Sequence, residues 1–394
     1  MATATVDPRT PQPLLTRDAF ELPTHEGRPV LGRSSRADAY PIYVTRTMPE
    51  ALLRLRDLIG DARVALVTDA TVHDLLGPTF LGGLKELGIE PHVAVVPAGE
   101  VHKSLDQAVR LWHWLAISPL GRRDVVLTFG GGVVNDMAGW VAAGYMRGMR
   151  YINVPTTLVG QVDAGIGGKL AVNHGEAKNL IGGFHQPTGV VSNVSFLETL
   201  DMRHICAGLA ESIKKALIAS PAYWQFIEGH AEAILAKDMD ALEQLVRAAA
   251  AIKTALIERD PYEHDSRRTL GFGHALAHPL ETVTGYGPIL HGEAVAFGMV
   301  VECRMAATRG LLDEGTLGRI VALLRRVRLP TCASELPIAI DGDTLLGATE
   351  KVRLARGGYL RWVLPLGLGE TVIADDVTDR ELREALRWCG VEVE

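Results

Sequence analysis

The rhythm of apolar and polar positions changes twice along the chain. Residues 1–38 are polar and rich in Pro, Thr and Arg, which reads as a loosely held tail or an edge strand. From about residue 39, short β-branched runs alternate with helical stretches. Arg63–Asp69, His92–Val96 and Asp124–Phe129 read as strands, with amphipathic segments such as Ser104–Ala116 between them. That alternation predicts a parallel sheet with right-handed crossover helices. After about residue 195 the strand signal fades. Long stretches rich in Ala, Leu and Glu follow at roughly 206–219, 221–258, 274–285 and 291–327. A strand pair, Tyr359–Leu364 and Thr371–Ile373, flanks Gly367 and Gly369. The expected organisation is an N-terminal tail (1–38), an α/β domain (39–195) and a mostly α-helical C-terminal domain (196–394).

Composition narrows the class. At 394 residues the chain suits two domains, and 47% hydrophobic residues supply large cores. Forty Lys+Arg against 47 Asp+Glu give a net charge of −7, so no global basic field is present for nucleic acid or an anionic membrane. The N-terminal segment has no apolar core, as a signal peptide would. The apolar run Ala294–Val301, closed by Glu293 and Glu302, is too short to span a bilayer. Cys206, Cys303, Cys332 and Cys389 are scattered without a CxxC, which argues against disulfides or a zinc finger and fits a reducing cytoplasm.

Four constellations carry chemistry. Gly130-Gly131-Gly132 directly follows a strand and opens a helix, with Asp136 one turn in. Such glycines let a phosphate approach exposed N–H groups, yet the same triplet suits a tight turn and is not the GxGxxG fingerprint. Asp69 ends an earlier strand, and Glu100 and Lys103 follow the next, where ligands of open parallel sheets sit. Glu211, His274 and His291 supply one carboxylate and two imidazoles from separate helices, a plausible Zn²⁺ set with an open fourth position. His274 and His278 are four apart, but Ala275, Leu276 and Ala277 lie between them, so the Glu of HExxH is missing and a zinc protease is disfavoured. Finally, Arg147, Lys169, Lys178, Lys214, Lys253, Arg267 and Arg268 cluster near these strings, which suggests a pocket for an anionic substrate.

Taken together, FGGGVVNDMAGWVAAGYMRGMRYINVPTTLVGQVDAGIGGKLAVNHGEAKNLIGGFHQP, AGLAESIKKALI, LGFGHALAHPLE and ILHGEAVAFGMV resemble, in order and spacing, 3-dehydroquinate synthase and its relatives, the sugar-phosphate cyclases. The resemblance covers about residues 60–375. It implies a Rossmann-like NAD domain (39–195), a helical metal- and substrate-binding domain and a homodimer. The reaction implied is an NAD- and Zn²⁺-dependent (or Co²⁺-dependent) phosphate elimination and ring closure on a seven-carbon ketose phosphate. It also implies metal ligands Glu211, His274 and His291, with cofactor contacts from Asp69, Glu100, Lys103, Gly131, Gly132, Asp136, Thr156, Thr157, Lys178 and Thr199. Catalytic groups would be Asp163, Lys169, Lys214, Lys253 and His278. Substrate would also meet Asn179, Arg267 and Arg147, the last reaching a neighbouring subunit's phosphate site.

The chain departs from the dehydroquinate synthase pattern at several places. Gly271 replaces an Asn, Asn135 a Gly, and Val352-Arg353-Leu354 an Asp-Lys-Lys string; Ile213-Lys214-Lys215-Ala216 stands where Ile-Lys-Tyr-Gly is usual. These changes point to a specialised cyclase acting on sedoheptulose 7-phosphate. Lys253, Arg267 and His278 match the dehydroquinate type instead, so dehydroquinate synthase is the alternative. A metal-dependent polyol dehydrogenase is the alternative from another class.

Overall fold

The computed structural model describes residues 30–32, 39–175, 177–262, 269–355 and 358–394. Within these, β1 (Val30–Gly32), β2 (Tyr40–Thr45), β3 (Val64–Asp69), β4 (His92–Val96), β5 (Val125–Gly130), β6 (Arg150–Pro155) and β9 (Gly189–Asn193) form one sheet in the order β1-β2-β9-β6-β5-β3-β4. All neighbours are parallel except β1, which runs antiparallel on β2. The edge-strand expectation for the N-terminal segment therefore holds at Val30–Gly32; the rest of 1–38 lies outside the described residues. The central strands β5 and β9 are buried along their whole length, because helices cover both faces of a parallel sheet.

Helices α1 (Met48–Ile59), α2 (Ala70–Glu86), α3 (Leu105–Ile117) and α4 (Gly132–Gly144) form the crossovers. Three begin on side-chain caps, from Thr47, Asp69 and Ser104. The hairpin β7 (Lys169–His174) and β8 (Ala177–Phe184) folds against α4, an element the sequence pattern did not reveal.

The remaining chain is helical: α5 (Met202–Ala219), α6 (Pro221–Leu235), α7 (Met239–Ile257), α8 (His274–Val283), α9 (His291–Thr308), α10 (Glu314–Arg326), α11 (Gly342–Ala355) and α12 (Asp379–Trp388). The stretch 221–258 is two helices, not one. Lys237 takes a left-handed φ of 59° and Asp238 caps α7. The stretch 291–327 likewise breaks at Gly310 (φ 70°), with Asp313 capping α10. The late strand pair lies at β10 (Trp362–Gly367) and β11 (Glu370–Ala374), turning at Gly369 (φ 82°), three residues later than expected for the first strand. No helix among the described residues is long and apolar enough to cross a membrane.

The helical half is built around α5, which is buried on every face from Ile205 to Ala219. Two glycines of α9 set how closely its neighbours approach. A Cβ on Gly292 would lie 1.9 Å from Ala207 O of α5, and one on Gly298 would lie 2.1 Å from Gly273 O, just before α8. Backbone meets backbone at both points, so α5, α8 and α9 converge. Gly292→Ala should cost about 1–3 kcal/mol, because neither backbone can yield locally. Urea unfolding of the metal-free protein would measure it, and an unchanged midpoint would contradict this packing.

Candidate active site

The carboxyl ends of the parallel strands face the helical half, and the chemistry-bearing residues gather there. At the end of β5, Gly131 is the N-cap of α4 and has no side chain to cap with, so the first N–H groups of α4 stay unclaimed by a side chain. Both turn glycines are closely overlaid: a Cβ on Gly131 would meet Thr157 at 3.0 Å, and one on Gly132 would meet Ala164 at 3.1 Å. Thr156 is buried and bonds Gly130 O through its N–H, and its hydroxyl has no partner. Thr157 accepts from Gly160 N–H.

A polar network crosses the mouth of this turn. Lys103 Nζ lies 2.5 Å from both Asp136 Oδ2 and Asn179 Oδ1. Asn173, unremarked in the sequence, bonds Glu100 Oε1 with its amide and accepts from Asn179 N–H. Asn179 holds a left-handed φ of 55° to do so. Beneath, a buried chain runs from Asn135 Nδ2 to Thr128, on to Asn153, and so to Gly165 O. It anchors the wide, π-type turn Gly160–Ala164 that carries Asp163. Asp69 ends β3 and is occupied as the cap of α2. Thr199 is exposed beyond β9, its hydroxyl on Phe196 O. Lys169 opens β7, and Arg147 is exposed on the loop before β6; Arg267 and Arg268 lie outside the described residues.

The second centre is the metal set, where the three helices converge. Glu211 lies mid-α5, and His274 and His291 are the first residues of α8 and α9. His274 Nε2 and His291 Nε2 each lie 3.6 Å from Glu211 Oε1. That oxygen is buried and has no hydrogen-bond partner. Each imidazole is oriented through its other nitrogen. His274 Nδ1 bonds Phe272 O at 3.0 Å, and His291 Nδ1 bonds Glu281 Oε2 at 3.1 Å, so both Nε2 lone pairs can face a cation. An orphaned carboxylate oxygen with two aimed imidazoles fits Zn²⁺ or Co²⁺. His278, Glu281 and His291 form a second trio. Glu281 is already committed there, however: its Oε1 lies 2.5 Å from Lys178 Nζ.

Cations surround both carboxylates. Lys214 Nζ lies 2.5 Å from Glu211 Oε2. Lys215 Nζ lies 2.6 Å from Asp163 Oδ1, and Lys253 bonds Asp163 O at 2.7 Å. Burial pushes the Glu211 and Asp163 carboxyls up, but these ammonium groups overcome it and hold both well below their usual range. His274 is driven well below its ordinary value by burial and by Lys214. Burial acts the same way on His291, but Glu281 outweighs it and raises it to about 9.

A parallel α/β sheet joined to a helical half with a Glu–His–His set defines a nucleotide- and metal-site architecture. The chain belongs to the 3-dehydroquinate synthase family: the family's N-terminal profile matches residues 93–207 and its C-terminal profile residues 208–348. It is 50% identical to the 2-epi-valiolone synthase of Actinosynnema mirum over 89% of this chain and 92% of that one. It is 40% identical to a 3-dehydroquinate synthase of Desulforamulus reducens over 88% of this chain and 96% of that one. Among solved structures it superposes on the 2-epi-5-epi-valiolone synthase of Streptomyces hygroscopicus, solved with NAD⁺ and Zn²⁺ bound. The TM-score is 0.83 at 32% identity, covering 89% of this chain and 96% of that one.

Because His291 carries a proton up to about pH 9 in the metal-free protein, a cation must displace that proton. Apparent zinc affinity should therefore climb as pH rises toward about 9 and level off above it. Chelator competition across that range would check this, and a flat profile from neutral pH upward would contradict it.

Proposed function

We propose that the chain is an NAD- and zinc-dependent sugar-phosphate cyclase that takes sedoheptulose 7-phosphate to a valiolone-type carbocycle. The observation that carries this reading is the 50% identity to a 2-epi-valiolone synthase, against 40% to the dehydroquinate synthase of Desulforamulus. The departure at Gly271 supports it: where the dehydroquinate synthase pattern has an Asn, a Cβ would meet nothing within 4 Å, so the position carries open room and no amide. We place the division between the two domains near residue 195, where the last sheet strand has ended and the helices begin.

When bound, NAD would take up a hydride from the substrate and later return it, and the metal would polarise the hydroxyl being oxidised. This chain's residues do the rest. The α4 N-terminus with Gly131, Gly132, Thr156 and Thr157 receives the cofactor's phosphates; Asp136, Lys103, Glu100 and Lys178 border it, with Asp69 and Thr199 at the neighbouring strand ends. Glu211, His274 and His291 hold the cation. Lys214, Lys253, Lys169 and Asn179 are read as binding and orienting the anionic substrate, His278 as exchanging protons, and Asp163, which Lys215 and Lys253 hold ionised, as a fixed acceptor that orients the substrate. Arg267, outside the described residues, is assigned to the substrate by the resemblance alone. Arg147 is read as completing the phosphate site of a second subunit. It is exposed, and Met146 (φ 48°), Arg147 (φ 67°) and Gly148 (φ 110°) form three successive left-handed residues that raise the loop. Light scattering should then give twice the 42.5 kDa chain mass; a 42.5 kDa particle at working concentration would remove the dimer.

The test is phosphate release from sedoheptulose 7-phosphate and from the deoxy-heptulosonate phosphate, side by side. Turnover should favour the sugar, need only catalytic NAD, stop on chelation and return with Zn²⁺. Turnover of the acid alone would make the enzyme a dehydroquinate synthase, a reading that His278 favours. Stoichiometric NADH would make it a polyol dehydrogenase. Gly271→Asn should shift preference toward the acid by about tenfold or more, the worth of one added hydrogen bond to a charged group.

A further inference from the structure

The roles assigned above leave out one fully buried charge at the centre of the site. Lys215 has 0% side-chain exposure, so it reaches no substrate. Its Nζ lies 2.6 Å from Asp163 Oδ1 and 3.5 Å from Glu211 Oε2. It also stands where the resemblance expects a Tyr, so the ammonium is not something helix α5 needs in order to form. Burying an ammonium is expensive, and the two carboxylates beside it are what offset that cost here.

Glu211 is divided by this arrangement. Its Oε1 is unpartnered and faces the two imidazoles at 3.6 Å. Its Oε2 faces two ammonium groups, Lys214 at 2.5 Å and Lys215 at 3.5 Å. Positive charge on the far oxygen draws electron density from the near one and repels whatever cation that oxygen holds. Asp163 is divided in a similar way. The ion pairs with Lys215 and Lys253 both fall on Oδ1, and 24% of the side chain remains exposed to the cleft.

We propose that Lys215 is a positioning residue that sets the charge of the metal pocket. Through Glu211 Oε2 it loosens the grip on a divalent cation and keeps that cation more electrophilic. Through Asp163 Oδ1 it fixes the carboxylate that opens to the substrate. The proposal rests on the metal-dependent cyclase reading, but its sign can be read without substrate. If Lys215 were only a staple between α5 and the Gly160–Ala164 turn, removing it would loosen the site and weaken metal binding. If it sets the charge, removing it strengthens metal binding while slowing the reaction.

The experiment measures zinc affinity of the metal-free protein by competition with a chromophoric chelator, for wild type, Lys215→Met, Lys215→Gln and Lys215→Arg, alongside phosphate release. Lys215→Met should bind zinc about tenfold or more tightly than wild type, as expected for deleting a unit charge beside a divalent one. Its kcat on sedoheptulose 7-phosphate should fall about tenfold or more, and Lys215→Arg should return both values to within about threefold of wild type. Lys215→Gln keeps a hydrogen bond to Asp163 without charge, and should shift zinc affinity the same way if Lys215→Met fails to fold. Unchanged or weaker zinc binding in a folded neutral variant overturns the proposal. A wild type that releases no phosphate from either heptulose overturns the cyclase reading instead and leaves the zinc comparison decisive for Lys215.

Discussion

A carboxylate with no exposed surface is unstable unless positive charge surrounds it, and Glu211 is such a group. Much of the helical half follows from satisfying it. Lys214 and Lys215 must come from its own helix or from one packed against it, and both lie on the next turn of α5. Two imidazoles must reach the oxygen those lysines leave open, so α8 and α9 start with histidine and point their first turns at α5. The side-chain-free surfaces of Gly292 and Gly298 let those helices come close enough. The apolar packing around α5 keeps water away, and so keeps the arrangement electrostatically strong.

The N-terminal half solves a different problem. A parallel sheet collects its loops at the carboxyl ends of its strands, and the glycine turn after β5 offers unclaimed N–H groups there. The Asn135–Thr128–Asn153–Gly165 chain fixes the floor of that region without spending any exposed residue. Asp163, on the turn anchored by this chain, is the side chain through which the sheet half reaches the lysines of α5 and α7.

What could be read from the sequence depended on whether the signal was local. The runs at 63–69, 92–96 and 124–129 are continuous and apolar, and became β3, β4 and β5 within a residue or two. The glycine triplet was legible because a strand, a turn and a helix start are consecutive in the chain. The Glu–His–His set spans 80 residues and carries no spacing rule, so the residues alone made it plausible; the resemblance implied it, and the packing of three helices brings it together. The β7–β8 hairpin left little trace, since Gly182 and Gly183 interrupt its alternation. Asn173 carries no chemistry of its own and matters only through what it bonds. Lys215 was visible only as a departure from a pattern; its burial between two carboxylates needed coordinates.

Glu281 has a consequence for how the two centres communicate. One of its oxygens is held by Lys178 of the β8 hairpin and the other by the His291 imidazole. The hairpin belongs to the sheet half and the imidazole to the helical half, so this single carboxylate is a mechanical joint between them. A shift of the hairpin that draws Lys178 away changes the strength of the acceptor behind His291, and a change at His291 is returned to the hairpin in equal measure. Both contacts end on one side chain, so the hairpin and the first turn of α9 are tied to each other through Glu281.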